Sequence, residues 1–301
     1  MLVVCSGLKA LLLGICIFLG VGFYTLLERK VLSYMQLRKG PNKVGICGIP
    51  QPLADAVKLL TKENIKVMAS MHLVFIIAPL FAMLIMLLLW VLYSSFYGVS
   101  AFKLGILFFI SVSSLNVFSV LLSGWSSNSK YALLGGVRAV AQTISYEVSM
   151  SLVLLSILVM LSSFDLFDLC GMHNILFFPV MFILWMITAI SETNRAPFDL
   201  AEGESELVSG FNIEYGSAEF AFLFIAEYGS ILLMSVITMV LFLGMYFYSG
   251  LEVMGTLFVA FIFLWARATL PRVRYDILMS LTWKTFLSFV LGFLCVVLLM
   301  S

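Results

Sequence analysis

Carboxylates crowd one part of this chain. Glu192, Asp199, Glu202, Glu204, Glu206, Glu214, Glu219 and Glu227 are eight of its sixteen acidic residues, and Arg195 is the only base among them. Long apolar runs flank the segment, from Ile175 to Ile190 and from Phe220 to Phe242. Acids held close together beside an apolar medium repel one another and lose hydration, which suits such a cluster to exchanging protons. Glu147 stands apart in another apolar stretch. Thr143 precedes it and Ser151 follows it by one turn, and Gln142, Tyr146 and Ser149 form an adjoining polar stripe. A charge in mid-membrane costs on the order of 2.5–3.5 kcal/mol on insertion scales, so this face is expected to meet protein or water, not lipid. Glu227 and Tyr228 repeat the pattern in a later apolar run. Either acid alone could serve to bond helices together or to move protons. Two of them, with the acidic segment between neighbouring apolar runs, favour a proton path.

Other chemistries find no support. His72 and His173 are too few and too far apart to hold a pair of haems, and Cys5, Cys16, Cys47, Cys170 and Cys295 show no C-x-x-C spacing. Neither a zinc site nor an iron–sulfur cluster is therefore expected, and no metal ligand or nucleophile is assigned. There is no Walker A motif and no dinucleotide fingerprint; Gly135-Gly136 reads as a helix-end turn or a close packing contact. If the chain serves electron transfer, a partner must carry the electrons.

The elements that position these residues are membrane helices. Apolar residues are 62% of the chain and charged residues 11%, with mean hydropathy +1.13, against roughly 45–50% and about 25% in soluble domains. Stretches of about 20 apolar residues predict eight spans: 8–27, 71–93, 104–122, 140–161, 175–191, 220–243, 253–270 and 283–300. The expected fold is all-α, a polytopic membrane protein of about eight transmembrane helices forming one domain over 1–301. A loop over 28–70 is expected to hold one interfacial amphipathic helix at about 52–63, because Pro52 suits a first turn and Leu53, Ala56, Val57 and Leu60 share a face. A surface anchor is one role for it, a doorway for a lipid-soluble substrate another. The acidic loop is expected over 192–219. Fifteen of the seventeen Lys and Arg residues fall in the odd-numbered loops and their helix ends, leaving Lys9 and Lys103 opposite. The positive-inside rule then places the odd loops and the acidic segment on the side of synthesis and both termini on the other. The first apolar run lacks a basic leader and cleavage site, so it is expected to be retained, and no transit peptide is visible.

Five blocks carry a family resemblance. They are E-R-K-V-L-S-Y-M-Q-L-R-K-G-P-N-K-V-G from Glu28, Q-P-L-A-D-A-V-K-L-L-T-K-E from Gln51, G-G-V-R-A-V-A-Q-T-I-S-Y-E from Gly135, E-T-N-R-A-P-F-D-L-A-E-G-E-S-E-L-V-S-G-F-N-I-E-Y from Glu192, and W-A-R-A-T-L-P-R-V-R-Y-D from Trp265. Over nearly the whole chain, in order, they resemble the core subunit 1 family of respiratory complex I, the mitochondrial NADH:ubiquinone oxidoreductase. The resemblance implies a non-redox membrane subunit of the inner mitochondrial membrane, with termini facing the intermembrane space and odd loops facing the matrix. It also implies that this chain binds no cofactor, that ubiquinone is the substrate, and that flavin and iron–sulfur clusters belong to partner subunits. The partners would be the soluble quinone-site and terminal-cluster subunits, small membrane subunits leading to the antiporter-like pumps, and membrane lipids, with no nucleic acid. Matching positions would place Gln36, Arg38, Asp55, Phe224, Tyr228 and Arg274 along a ubiquinone tunnel. A proton-coupling route would involve Tyr146, Glu147, Glu192, Asp199, Glu202, Glu206, Glu214 and Glu227, with Arg195 as counter-charge. Glu219 departs from the family's usual small residue or proline and is left out as a helix N-terminal acid.

Three competing readings make different demands. A stand-alone proton-coupled transporter should show internal repeats with paired broken helices, and no repeat is visible. A lipid-modifying enzyme would want a metal or nucleophile constellation, which the histidines and cysteines do not supply. The corresponding subunit of a membrane-bound hydrogenase shares the fold and acidic loop, and co-purifying subunits would separate it from the complex I reading.

Overall fold

A computed structural model of the chain describes residues 2–64, 68, 70–93, 103–161, 163–166, 174–201, 203, 210–244 and 250–300. Among them are helices and turns and no strand. Seven helical stretches are long and apolar enough to cross a membrane: Leu11–Met35, His72–Trp90, Gly105–Ser126, Lys130–Met160, Ser217–Leu243, Gly250–Thr269 and Tyr275–Leu299. The eighth expected span is the shorter helix Pro179–Glu192. Its 14 residues reach about 21 Å, less than the roughly 30 Å hydrocarbon core. The shortfall has a local cause. Pro179 has no N–H to continue a helix from the preceding turn Asn174–Phe177, so the chain restarts there.

The first helix, α1 (Leu2–Met35), runs eight residues beyond the expected end of its span. No Gly or Pro occurs in its extension after residue 27, and it stops in a Schellman arrangement: Leu37 takes φ 57°, its N–H reaches the Tyr34 carbonyl at 3.1 Å, and the Arg38 N–H reaches that of Ser33 at 2.8 Å. Glu28, Arg29 and Lys30 are therefore helical, not loop, residues. In the turn that follows, Gly48 has φ 74°, and a Cβ there would meet the Pro41 carbonyl oxygen at 2.2 Å. Helix α2 (Gln51–Thr61) then starts with Pro52 in its first turn. It packs on α1 and on the later helix over Ser217–Thr238, leaving Leu53, Val57 and Leu60 exposed.

The remaining helices are α3 (His72–Trp90), α4 (Gly105–Ser114), α5 (Asn116–Ser126), α6 (Lys130–Leu161), α7 (Asn174–Phe177), α8 (Pro179–Glu192), α9 (Ser217–Thr238), α10 (Gly250–Thr269), α11 (Tyr275–Ser280) and α12 (Leu287–Met300). A wider π-helical turn at Met239–Leu243 extends α9, and another at Leu281–Phe286 joins α11 to α12. The last span thus begins at Tyr275, nine residues before Lys284, whereas the hydropathy reading began it at 283 and left Lys284 at the helix end.

Two helices organise the bundle. Helix α9 packs against α1, α2, α3 and α10, and α6 against α5, α8 and α12. Small residues let α6 come close on two sides. A Cβ on Gly124 of α5 would meet the Gly136 Cα at 3.1 Å, and one on Gly135 would meet the Gly210 Cα at 2.8 Å. The Gly135-Gly136 pair is a packing contact. Tyr146, Trp185 and Phe242 are fully buried in the main core. Tyr215 stacks on Phe75 with ring centroids 4.0 Å apart and donates to the Phe75 carbonyl at 3.2 Å, tying the end of the acidic segment to α3. Burial pushes the Tyr215 hydroxyl up to about 12, partly offset by its hydrogen bond with Ser126, so it remains a donor at neutral pH.

Candidate functional site

The chain leaves α8 in a bend clamped from two directions. Asn194 takes φ 49°, a left-handed conformation that Asn tolerates. The Gln142 amide of α6 donates to the Ser191 carbonyl at 3.0 Å and to the Phe198 carbonyl at 2.8 Å. From the other side, the Val273 N–H reaches the Pro197 carbonyl at 3.0 Å. These clamps aim Arg195 inward. It is a buried residue whose guanidinium lies 4.3 Å from the centre of the Tyr228 ring, within cation–π range.

Arg195 lies 3.9 Å from a carboxylate oxygen of Glu28 and 3.9 Å from one of Glu227. Glu28 is 4% exposed and also accepts a hydrogen bond from Arg267. Two cations thus share one buried acid, and a second acid completes the balance. Tyr24 and Tyr228 meet edge to face at 6.0 Å, the Tyr24 hydroxyl donates to the Ala260 carbonyl at 3.1 Å, and Phe224 lies 6.0 Å from Tyr228. The resulting cluster combines aromatic faces with paired charge.

Glu227 also faces a cavity of about 50 Å³ together with Glu192, Asn116, Ser119, Thr193 and Asn194. At about 10–15 Å³ of such volume per water, it has room for a few. Its lining is mixed: Ile85, Met86, Leu89 and Phe211 supply apolar surface, and the polar side chains give any water it takes up hydrogen-bond partners. The Glu192 Oε2 is buried with no hydrogen-bond partner among the described residues, and Glu147 stands on α6, which packs against α8. Next to Glu147, Tyr146 is fully buried, and its hydroxyl finds no partner among the described residues. Glu227 and Glu192 therefore share one cavity beside the Arg195 group, with Glu147 on the neighbouring helix α6.

The structure assembles some of the expected residues and separates others. Phe224, Tyr228, Arg195, Glu227 and Glu192 come together, with Glu147 and Tyr146 on the neighbouring helix α6. Asp199 and Glu214 are half-buried in the same segment, while Glu202 and Glu206 lie outside the described residues. Gln36 and Arg38 are exposed and bonded to each other. Asp55 is held by Arg29 at 2.6 Å and by the Gln51 amide at 2.9 Å, which fixes α2 to the end of α1. Arg274 is not in the aromatic group; it is 79% exposed and pairs with Asp276 at 2.8 Å. Glu219 occupies the first turn of α9, where the helix dipole favours an acid. Glu28, Tyr24 and Arg267 enter the site without having been singled out from sequence. The signal that could have found Tyr24 and Glu28 is their i, i+4 spacing on a helix uninterrupted to Met35; Arg267 left none. Among the described residues no group of three His, Cys, Asp or Glu side chains forms a metal site.

Fold and site define a class: a polytopic α-helical membrane protein with an aromatic, charge-paired cluster beside a cavity that two carboxylates share. The sequence matches the family described as NADH dehydrogenase over residues 8–298. It is 50% identical over 293 residues to NADH-ubiquinone oxidoreductase chain 1 of Aedes aegypti, covering 96% of this chain and 94% of that protein. The chain 1 protein of Heterololigo bleekeri is 51% identical over 288 residues, with 93% and 92% covered, and that of Pongo pygmaeus 49% identical over 298 residues, with 95% and 94% covered. The chain belongs to the NADH-ubiquinone oxidoreductase chain 1 family.

Proposed function

We propose that this chain is the chain 1 membrane subunit of a mitochondrial, proton-pumping NADH:ubiquinone oxidoreductase, lining the path by which ubiquinone reaches its reduction site and relaying the resulting charge to the pumping subunits. It is not catalytic alone. Flavin and iron–sulfur clusters reside in partner subunits, and this chain holds neither. Its apolar helices and its mitochondrial relatives support an inner-membrane location, and the distribution of Lys and Arg supports a matrix-side acidic segment.

The observation that carries this reading is the shared position of Arg195, between Glu28 and Glu227, against Tyr228. Reducing a quinone to a quinol takes up two electrons and two protons. Negative charge therefore appears transiently in a medium of low dielectric, where it acts strongly on nearby ions. A guanidinium balanced between two acids responds to such charge by changing partners. When Arg195 leaves Glu227, that carboxylate loses its counter-ion and takes a proton more readily. Water in the adjoining cavity can then connect Glu227 to Glu192, and a protonation change at Glu192 acts in turn on Glu147 across the packed helices α8 and α6. The aromatic rings of Phe224 and Tyr228 provide the flat apolar surface that a quinone ring or its isoprenoid tail would slide against.

Replacing Glu192 with Gln in the assembled enzyme tests the reading. NADH oxidation by an artificial acceptor at the flavin should be unchanged, while ubiquinone-linked turnover or the protons moved per turnover should fall severalfold. Full ubiquinone turnover with full proton translocation in Glu192→Gln, together with the same result in Glu147→Gln, would overturn the relay.

A further inference from the structure

The last span carries a polar face that nothing among the described residues covers. Only 17% of its apolar window is buried, against 56% for Lys130–Met160. Leu278, Thr282, Val290 and Val297 form its buried side, and Trp283 donates to the Ser145 hydroxyl of α6 at 3.3 Å. These contacts fix the rotation of the helix. Ser280, Lys284, Ser288 and Gly292 recur every four residues on the opposite side, and the first three are exposed, as is Gly292. A Cβ built on Gly292 meets nothing within 4 Å.

Depth makes Lys284 unusual. The span Tyr275–Leu299 has 25 residues, about 37 Å of helix, and overhangs a roughly 30 Å hydrocarbon core by a few Å at each end when centred on it. Lys284 lies nine residues after Tyr275, about 14 Å along the axis, and so about 10 Å below the hydrocarbon edge. Its side chain leans towards the Tyr275 end, but a four-carbon stem covers only part of that distance. Among the described residues Lys284 has no carboxylate within ion-pair distance. A bare ammonium at such depth is costly and is normally paired within a helical assembly.

The serine hydroxyls do not compete for that pairing. Ser280 bonds the Ile277 carbonyl at 2.8 Å and Ser288 the Lys284 carbonyl at 2.7 Å, so both present small, satisfied surfaces. Small residues four apart are what allow two helix backbones to approach closely in lipid. We propose that this face docks a transmembrane helix of another subunit, packed against Ser288 and Gly292 and presenting a carboxylate at the depth of Lys284. A second copy of this chain does not fit, because a two-fold contact through this face would oppose lysine to lysine. Lipid tails offer no acceptor, and lipid phosphates lie above this depth. The proposal rests on the preceding reading only in requiring an assembly of several chains.

The test uses the intact enzyme in native membranes, treated with a hydrophobic carbodiimide that joins an amine to a carboxylate in contact with it, followed by peptide mapping. The expected product is an isopeptide between Lys284 and an Asp or Glu within a transmembrane helix of another subunit, absent from the Lys284→Met enzyme. Gly292→Leu should release that same subunit in mild detergent while ubiquinone reduction in untreated membranes persists. A cross-link from Lys284 within this chain, or none to another chain while other lysines react, would overturn the docking face. Loss of ubiquinone reductase activity from wild-type preparations that contain this chain would instead count against the functional reading.

Discussion

Glu28→Gln is the most informative single change, because it removes the charge that two guanidiniums share while keeping the side chain's shape. At 3.9 Å and an effective dielectric of about 20, the Arg195–Glu28 attraction is about 4 kcal/mol before desolvation is subtracted. Breaking a buried pair by removing one partner costs about 3–5 kcal/mol where the remaining charge is left unmatched. Two features reduce this here. Arg195 keeps Glu227 at the same distance, and the Arg267 side chain is 37% exposed, so water screens part of its loss. The expected net destabilisation is about 2–3 kcal/mol. Arg195 should then settle on Glu227, holding it ionised and unresponsive to charge on the quinone. Ubiquinone-linked turnover should fall about tenfold, equivalent to about 1.4 kcal/mol in the barrier. The assay compares NADH:ubiquinone-analogue and NADH:artificial-acceptor rates in membranes, with thermal inactivation recorded alongside. Wild-type ubiquinone turnover in an enzyme containing Glu28→Gln would refute the shared-cation account, whatever the thermal shift.

Two further changes probe the supports of the site. Gln142→Leu removes the clamp on the 191–198 bend; since the Ser191 and Phe198 carbonyls keep turn bonds from Asn194 and Leu200, the loss should be only about 1–2 kcal/mol, but ubiquinone turnover should drop further than thermal stability does. Equal, small effects on both would assign Gln142 a packing role alone. Tyr215→Phe deletes the donor to the Phe75 carbonyl while keeping the stacked ring, and should cost about 1 kcal/mol in thermal inactivation measurements. With the Tyr215 hydroxyl pushed up to about 12 by burial, that cost should be the same from pH 6 to pH 9, a range over which the group stays protonated; a cost that vanishes towards the alkaline end would contradict the assigned donor.

The polar stripe of α6 was legible in advance, because Thr143, Tyr146 and Glu147 interrupt an otherwise apolar run at helical spacing. Hydropathy marked the bundle for the same reason, yet it misplaced ends wherever charged residues continue a helix. Glu28 was hidden this way. It follows an apolar run as part of Glu-Arg-Lys, which reads as a solvated helix end, although α1 continues to Met35 and buries it. Arg267, in the last turn of α10, was hidden similarly, and only tertiary packing brings it to Glu28 while leaving Arg274 on the surface. The short α8 was foreseeable from Pro179, whose ring ends the preceding turn. Spacing along the chain could not show that Glu192 and Glu227 face one cavity, because they lie on helices separated by the whole acidic segment.

The central claim is that carboxylates beside the Arg195 group change protonation as ubiquinone is reduced. Infrared difference spectroscopy of the assembled enzyme, oxidised minus reduced with ubiquinone bound, reads this directly through the carbonyl stretch of protonated carboxyl groups. The account predicts a carboxyl band that changes on reduction, shifts in heavy water, and is missing from the Glu192→Gln enzyme. A difference spectrum identical in the wild-type and Glu192→Gln enzymes would contradict it.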